Sequence, residues 1–498
     1  MNNALLLLAI LSSSLIPGLI IFTLPEPALR LRTTCNMAGV LTKLVLVGVL
    51  FQRVYQGTLP ELRVPVLPGM ELLLHADSLS LLFLGLSAGL WLLTTVYAIG
   101  YLEGSPHRSR FFGFFSLCIF ATTGIALAGD LVTFLIFYEL LTLSTYPLVV
   151  HRGTPQALQA GRIYLAYTLA GGALLLFATV WLRSLAGPLN FASAGILFTL
   201  DASLHADLSL IFLLLIAALG VKAALVPLHS WLPTAMVAPA PVSALLHAVA
   251  VVKAGAFGII RVIHGVYGVE FSMTLGLLPP LAFLAVFTSL YGSVQALRQN
   301  DLKRRLAFST VSQISYIILG IALGGPAAAI GGLVHLVHQG LMKITLFFCA
   351  GNLAETLQIH KISDMAGVGR RMPWTMSAFT LSALGMIGLP PLVGFVSKWY
   401  LGFGALEVGQ SWIVVFLVVS TLLNAGYFLP LIYRAWFMAP QGRRNEDWPE
   451  KNGLETDWTL LFPPLVTAAL VLLLGLWAQA PFSPLYWVQL IVLREYGQ

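Results

Sequence analysis

The sequence predicts an all-α integral membrane protein with about fourteen transmembrane helices. Its 498 residues are 58% hydrophobic and only 9% charged, whereas roughly 25% of the residues of an average soluble domain are charged. Apolar runs of roughly 20 residues, the length that crosses a bilayer, follow one another with short connections. We therefore expect one polytopic membrane domain over residues 1–498. Two of the runs are interrupted by proline and carry a lysine near the interruption, at Lys222 and Lys398.

The apolar runs define the predicted helices in order. The first run has no positively charged segment before it and no obvious cleavage site, so we interpret it as a retained helix rather than a signal peptide. The twelfth run is the second of the two interrupted runs, and the seventh continues past its own interruption. The predicted spans are 4–24, 36–56, 78–101, 111–128, 131–150, 162–182, 207–226, 241–262, 272–296, 306–323, 326–350, 374–404, 411–437 and 457–479.

The distribution of Lys and Arg predicts the orientation of the chain. The odd-numbered connections contain seventeen of these residues, and the even-numbered connections contain only Arg53, Arg63, Arg183 and Arg261. Positively charged loops stay on the cytoplasmic side, so both termini are expected on the opposite side of a cell membrane, in the simplest case a bacterial inner membrane. The net charge of +7 then reflects membrane topology rather than nucleic-acid binding.

The two interrupted spans carry the same features in reversed order. Lys222 precedes Pro227 in the first span, and Lys398 follows Pro390 and Pro391 in the second. A break at membrane depth frees backbone groups, which are tolerated only against a cavity or another helix. Paired broken helices in two halves of a chain are typical of transporter sites, and the reversed order predicts repeats of opposite orientation. A proline kink beside a snorkelling lysine is the simpler alternative for each span.

Ionisable side chains also lie inside other predicted spans. An unpaired charge inside a bilayer is costly, so Glu139, in the middle of the fifth span, is expected to be protonated or paired with a lysine. Lys43 lies near a predicted helix start and is interpreted as snorkelling. A series of titratable groups with water between them can transfer protons across a membrane. The other candidates for proton translocation, relay or access are Lys222, His229, His247, Lys253, His335, His338, Lys343 and Lys398.

Several of these residues have an alternative structural role. Intramembrane histidines often only form hydrogen bonds between helices, and His229 could simply satisfy backbone groups at the first break. Tyr138 and Tyr316 are interpreted as packing or interfacial residues rather than relay members. The basic run at 301–305 is most simply an orientation signal.

The sequence gives no indication of redox or metal chemistry. The three cysteines, Cys35, Cys118 and Cys349, are far apart and lack CxxC spacing, which argues against a disulfide framework, a zinc site or an iron–sulfur cluster. A dinucleotide-binding fingerprint is also lacking. We expect no cofactor, no metal and no catalytic residue in this chain.

Several motifs resemble a known membrane-protein family. The sequence is similar to the antiporter-like membrane subunits shared by respiratory complex I, membrane-bound hydrogenases and multisubunit Mrp-type sodium/proton antiporters, and the similarity covers nearly the whole chain. The motifs are VKAALVPLHSWLP at 221–233, PAPVSALLHA at 239–248, DLKRRLAFSTVSQ at 301–313, HQGLMKITLFF at 338–348, and GLPP at 388–391 followed by Lys398.

The resemblance implies a specific arrangement of the fourteen helices. Members of this family contain two inverted five-helix repeats, helices 4–8 and 9–13, with helices 7 and 12 broken. Applied to this chain, the family pattern divides it into helices 1–3 (1–103), a first repeat (104–266), a second repeat (267–440), and a last loop with helix 14 and the C-terminal tail (441–498).

The resemblance also implies roles for individual residues and partners. In the family, the glutamate matching Glu139 pairs with the lysine matching Lys222, and loosening this pair drives protons along the membrane midplane. His247 and Lys253 match the bridging positions of helix 8. Lys343 matches the central lysine of helix 11, and Lys398 matches the terminal lysine of helix 12. The implied partners are other membrane subunits, the lipid bilayer, protons and in some members sodium; nucleic acid is not one.

The position within the family stays open between several members. The segment 246–255 is most similar to the D-type membrane component of Mrp antiporters. Lys398 and Gln313 differ from the complex I component of similar length, which usually carries Glu and His at these positions. The alternatives are a proton-pumping subunit of a complex I-like NADH:quinone oxidoreductase or a hydrogenase, and a proton-coupling partner of an inorganic-carbon uptake complex. Whether an enzyme is attached is left open.

Overall fold

The computed structural model describes residues 2–68, 70–439 and 455–496, and these residues are mostly helical. Thirteen helices in this part of the chain are long and apolar enough to cross a membrane. They are α1 Asn3–Thr23, α2 Leu29–Tyr55, α3 Ser78–Tyr101, α4 Arg108–Leu127, α5 Leu131–Val149, α6 Pro155–Ala186, α7 His205–Lys222, α8 Ala240–Tyr267, α9 Leu278–Arg298, α10 Leu302–Ala322, α11 Pro326–Leu357, α14 Trp412–Phe437 and α15 Trp458–Leu476.

One further span consists of two half-helices. These are α12 Pro373–Ile387 and α13 Val393–Glu407, and a last helix, α16 Pro484–Glu495, follows α15. With the broken span counted once, the described residues contain the predicted fourteen spans. The prediction of a multi-pass helical membrane protein is therefore confirmed. The division into repeats at 104–266 and 267–440 stays a prediction, and most of the predicted last loop, 440–454, lies outside the described residues.

A small β-hairpin was not predicted from the sequence. Strands β1 Glu61–Leu67 and β2 Met70–His75 pair antiparallel between α2 and α3. The hairpin contacts the start of α5, because the Leu73 carbonyl accepts from the Gly129 amide and the Leu73 amide donates to the Thr133 hydroxyl. The chain is thus all-helical only within its membrane spans.

Aspartates fix the first turns of several helices. Asp77 accepts a hydrogen bond from the Ser80 amide, Asp130 from Thr133 and Asp301 from Arg304. These caps satisfy amides that a helix leaves unpaired at its N-terminus. Asp77 and Asp130 therefore cap the starts of α3 and α5.

Two helices form the centre of the molecule. All residues in the most apolar 18-residue windows of α8 and α11 are buried, whereas only 33% are buried in α2 and 39% in α6. Helix α8 contains π-helical turns at 245–249 and 261–267, and such turns are frequent at functional sites. The polar side chains within these windows of α8 and α11 therefore lie in the protein interior and not against lipid.

Neighbouring groups satisfy the backbone where α7 is broken. Helix α7 ends at Lys222, and the chain resumes a helical course at Trp231–Thr234. The Trp231 indole donates to the Val221 carbonyl over 2.7 Å, and the Val226 amide donates to the Thr288 hydroxyl over 3.2 Å. Such contacts are what a broken intramembrane helix requires. The predicted break at this position is confirmed.

Candidate ion-translocation site

Glu139 lies near the middle of α5, and its carboxylate is pressed against α6. A Cβ atom on Gly172 would collide with Oε1 of Glu139 and lie 2.6 Å from Oε2, so a larger residue at this position would displace the carboxylate. Oε1 is buried and has no hydrogen-bond partner among the residues that the structure describes. The charge of Lys222 lies within electrostatic reach, but no ion-pair contact joins the two side chains here. The two charged groups therefore lie near each other without forming a salt bridge.

Lys222 is held by the neighbour of Glu139. It is the last residue of α7 and is completely buried. Its Nζ donates to the Tyr138 carbonyl and lies 3.3 Å from the centre of the Tyr138 ring, an arrangement in which the ring face attracts a cation. Tyr138, interpreted from the sequence as a packing residue, thus also positions the ammonium group.

Lys253 and His247 place titratable groups of α8 against α11. The Lys253 Nζ donates to the Leu336 carbonyl over 2.7 Å. The His247 ring stacks on Phe347, with ring centres 4.5 Å apart, and neither ring nitrogen has a partner in the described part of the chain. Both side chains are fully buried. Two residues after Lys253, Gly255 of α8 packs against the backbone of Lys222.

Lys343 connects α11 to α10. Its Nζ donates to the Leu306 carbonyl over 3.1 Å and to the Ser309 hydroxyl. The side chain is fully buried, and the charges of Lys253 and Lys343 lie within electrostatic reach of each other. Lys343 also lies within reach of His247. Helix α11 therefore forms the bridge between the two halves of the chain.

Lys398 lies in the second half-helix of the broken span. Its Nζ donates to the Ile387 carbonyl over 2.6 Å and to the Thr421 hydroxyl over 3.0 Å. Ile387 is the last residue of α12, so the lysine satisfies a carbonyl that the break leaves free. The side chain is only half-buried and lines an outward-facing groove with Trp399 and Phe403.

Two of the three predicted relay histidines lie between Lys253 and Lys398. The Nδ1 atom of His335 lies 2.9 Å from the Ser397 hydroxyl, and His335 is within electrostatic reach of Lys253, His338 and Lys398. Both histidines are 1% exposed. His229 lies apart from them, at the break after α7, with its ring edge-on to Tyr291 at 5.0 Å.

The lysines of this series share one property. The protein partners of Lys222, Lys253, Lys343 and Lys398 are carbonyl oxygens and hydroxyl groups, and within the described residues none of them contacts a carboxylate. Carbonyl and hydroxyl oxygens stabilise an ammonium group without fixing its charge as a salt bridge does. The arrangement can therefore hold protons and also release them.

A network of hydroxyl groups was missed at the sequence level. The Tyr316 hydroxyl donates to Ser420 over 2.7 Å, and Ser289 and Ser293 lie 3.1 and 2.9 Å from Ser312. The ring of Tyr316 lies 5.6 Å from the Lys398 Nζ. The network belongs to α9, α10 and α14. Helical spacing of Ser, Asn and Tyr within apolar spans, such as Ser420, Asn424 and Tyr427, is the signal that could have revealed it.

The interpretation of Lys43 as a snorkelling residue is wrong. Its side chain is 0% exposed, and its Nζ donates to Ser14 and Thr123 on two other helices. Helix α2 begins at Leu29 rather than at the predicted residue 36, which moves Lys43 to the middle of the helix.

Comparisons with known proteins agree with this architecture. A family model described as "NADH:quinone oxidoreductase/Mrp antiporter, TM" matches residues 128–424, and one described as "NADH-Ubiquinone oxidoreductase (complex I), chain 5 N-terminus" matches residues 69–112. Together the two models cover most of the membrane helices, including all four lysines.

Relatives come from more than one kind of complex. The N subunit of NADH-quinone oxidoreductase from Desulforudis audaxviator is 37% identical over 411 residues, 80% of each chain. The D-type component of the Na(+)/H(+) antiporter of Bacillus subtilis is 28% identical over 438 residues, 87% of this chain and 86% of the relative. A chain of the Mrp complex from Dietzia sp. DQ12-45-1b has the same fold, with a TM-score of 0.85, 24% identity and coverage of 99% and 97%. This chain therefore belongs to the family of NADH:quinone oxidoreductase and Mrp antiporter membrane subunits.

Proposed function

We propose that this chain translocates protons along a buried axis that begins at Glu139 and Lys222, continues through Lys253 and Lys343, and ends at Lys398. The observation that carries the proposal is a series of four lysines within the membrane spans, three fully buried and Lys398 half-buried, that are bound only by carbonyl and hydroxyl oxygens. Intramembrane ionisable residues are expensive to keep and mark ion pathways. His247, His335 and His338 supply further proton-binding atoms along the same line.

The first step on this axis is electrostatic. The Glu139 carboxylate and the Lys222 ammonium interact without touching, so the strength of their interaction depends on the spacing of α5, α6 and α7. At low dielectric a small change in separation alters such an interaction strongly. A change in this spacing shifts the proton affinity of Lys222 and passes the effect to α8, which contacts the Lys222 backbone through Gly255.

The second half of the axis has direct contacts. Lys253 meets α11 at Leu336, beside His335, and His335 contacts Ser397 next to Lys398. The hydroxyl network of Tyr316 and Ser420 lies against Lys398 as well. These groups give a proton two routes of short steps to the last lysine. We regard His229 as a residue of the access path at the first break.

The proposal includes the setting of the chain. The chain acts together with other membrane subunits, as the names of its relatives describe for those proteins. The odd-numbered connections face the cytoplasm and both described ends face the other side of a bacterial inner membrane, in line with the distribution of Lys and Arg. In this setting protons are exchanged for sodium across the whole complex.

A second candidate function is supported by one observation. The relative that is 37% identical belongs to an NADH-quinone oxidoreductase, which favours a proton-pumping role powered by an attached redox enzyme. The same axis would serve this role, but sodium would not be a counter-ion.

Ion flux in everted vesicles separates the two functions. The vesicles come from a strain that lacks its own antiporters and expresses this chain with its neighbouring genes. Sodium-dependent collapse of a pH gradient, reduced by Lys398→Ala but not by Lys361→Ala at an exposed position, is expected for the antiporter. A gradient that is insensitive to sodium would overturn the antiporter proposal and favour the redox-powered pump.

A further inference from the structure

A buried amine lies outside the proposed axis, in the bundle formed by α1, α2 and α4. The Nζ of Lys43 on α2 donates to the Ser14 hydroxyl of α1 over 2.9 Å and to the Thr123 hydroxyl of α4 over 2.6 Å. Its ammonium lies 5.2 Å from the ring centre of Trp91 on α3. The side chain is 0% exposed, and neither the interpretation from the sequence nor the family roles use it.

The two hydroxyl groups act on Lys43 only as acceptors. Ser14 donates its hydrogen to the Leu11 carbonyl, and Thr123 donates its hydrogen to the Ile119 carbonyl. An ammonium has three donors, so one N–H of a charged Lys43 has no protein acceptor in the described residues. A neutral amine would instead have a lone pair without a donor. Either form leaves one hydrogen-bonding position of the nitrogen for another molecule.

Unpaired polar groups lie about two helical turns away from this position, on α2 and on α4. Both amide atoms of Asn36 and the hydroxyl of Ser116 are buried and have no partner within the described chain. Asn36 is 1% and Ser116 0% exposed. A buried amide without partners is costly, and groups of this kind commonly bind ordered water.

The helical spacing brings these groups together. Asn36 lies seven residues before Lys43 on α2, and Ser116 lies seven residues before Thr123 on α4, which corresponds to about 10 Å along each helix. Residues seven apart share one helix face. The Arg32 Nε lies 3.1 Å from the Ser109 hydroxyl further along the same two faces, so α2 and α4 run in the same direction here. The unpaired Asn36 and Ser116 therefore lie between two hydrogen-bonded pairs of side chains, Arg32 with Ser109 and Lys43 with Thr123.

The charged surroundings of Lys43 are simple. Helix α1 carries no titratable side chain, α3 carries only Tyr97 and Tyr101, and α4 carries Arg108 and Arg110 at its first turn and Cys118. The Cys118 thiol faces Thr145 at 3.4 Å. On α2 itself, Arg30 and Arg32 lie in the first turn and Arg53 lies in the last turn. Within the described residues, Lys43 has no direct hydrogen bond to a residue of the proposed axis.

We propose that the seam between α1, α2 and α4 is a hydrated proton-binding site, in which Lys43 binds and releases a proton and Asn36 and Ser116 hold water. Water beside Asn36 and Ser116 supplies the third partner of the Lys43 nitrogen and satisfies the Asn36 amide. The buried Arg32, which donates to the Pro25 and Glu26 carbonyls, closes the seam at one end. The site does not require the proposed axis to operate.

A proton-uptake measurement tests the titration of Lys43. The full chain, purified with its membrane partners, is shifted from about pH 9 to about pH 6, and bound protons are counted for the native protein and for Lys43→Met. The native protein is expected to take up more protons per chain than Lys43→Met. Lys361→Met, at an exposed position, is expected to match the native count. Equal uptake by the native protein and Lys43→Met would overturn the proposal.

A cysteine-labelling measurement tests the water without changing Lys43. In a chain with Cys35, Cys118 and Cys349 replaced by serine, Asn36→Cys is exposed to a small water-soluble thiol reagent. It is expected to react about tenfold faster than Leu50→Cys, a position that is 0% exposed, packs in the apolar core and lies two turns beyond Lys43. Equal, slow labelling of both would show that the seam is dry and overturn the proposal. This result is decisive even where Lys43→Met fails to assemble.

Discussion

At the scale of single residues, the position of Glu139 depends on a glycine. The Glu139 carboxylate occupies the volume that a side chain on Gly172 would fill, with Oε2 only 2.6 Å from a Cβ at that position. If residue 172 carried a Cβ atom, a contact this short would force the carboxylate to move, and any movement would change its distance from Lys222. The glycine is therefore part of the proposed electrostatic first step.

Replacing Gly172 with alanine should reduce proton flux several-fold while the chain still inserts. The added methyl displaces the Glu139 carboxylate, whereas a helix tolerates alanine well. Flux in everted vesicles, normalised to the amount of chain, measures the effect. Gly48→Ala is the control, since no atom lies within 4 Å of a Cβ there. Equal flux in both variants would show that the exact place of the carboxylate is unimportant.

The hydroxyl of Tyr316 provides a second test at this scale. It donates to Ser420 within the network beside Lys398. Tyr316→Phe keeps the ring and removes the hydroxyl, so we expect flux to fall by roughly an order of magnitude. This is less than the roughly 10²–10⁴-fold contribution of a general acid or base, because His335 offers a second route to Lys398. Tyr433→Phe, at a residue 60% exposed, should leave flux unchanged. A native rate for Tyr316→Phe would leave His335 as the route to Lys398.

At the scale of helices, an ion pair joins α8 to the start of α3. Arg261 donates to both carboxylate oxygens of Asp77, over 2.5 and 2.9 Å, and to Ser80 over 2.8 Å. Burial alone would raise the pKa of Asp77, but the charge and hydrogen bonds of Arg261 hold it below its usual range. A depressed carboxylate pKa stabilises the fold above the unfolded value of about 4 and loses this effect as the pH falls through the folded value. At neutral pH the stabilisation is fully present.

Asp77→Asn should therefore destabilise the protein at neutral pH. Removing one partner leaves the 5%-exposed Arg261 side chain without its counter-charge, which costs about 3 to 5 kcal/mol for a buried pair. Thermal unfolding in detergent should show a clear drop in the midpoint. The control is Glu61→Gln, whose partner Arg63 is 50% exposed, with an expected cost below about 1 kcal/mol. Similar midpoints for both variants would contradict this role.

The sequence predicts the membrane helices better than their ends and polar contacts. Hydropathy identifies all fourteen spans, because a bilayer requires long apolar runs. It excludes Arg30 and Arg32 from the second span, although both belong to α2, since hydrogen bonds to Ser109 and to backbone carbonyls let Arg32 be buried. The same error placed Lys43 near a helix start.

Contacts between distant elements were beyond sequence reasoning. The alternation of Leu62, Val64 and Val66 is short, so the hairpin did not stand out among the apolar runs. The site lysines were identified because ionisable residues are rare inside a membrane, but their carbonyl partners were not, since every residue carries a carbonyl. For this reason the Tyr138 carbonyl, which accepts from Lys222, was not identified from the sequence, and neither was the contact of Lys222 with the Tyr138 ring.

At the scale of the whole molecule, the titratable groups follow the most buried helices. Helices α8 and α11 lie at the centre, and between them they carry Lys253, His335 and Lys343. Glu139 and Lys222 lie at one end of this series and Lys398 at the other, so in the proposed mechanism a change at Glu139 is transmitted through the interior of both halves. The central claim is that the charge of Glu139 drives this transfer.

The most direct test is proton flux in everted vesicles that carry Glu139→Gln, with Glu103→Gln at an exposed position as the control. The amide has the size of the carboxylate without its charge, so the chain should insert and assemble normally. We expect flux at the level of vesicles without the chain for Glu139→Gln, and native flux for Glu103→Gln. Native flux in assembled Glu139→Gln would contradict the account, because the axis would then operate without the carboxylate that acts on Lys222.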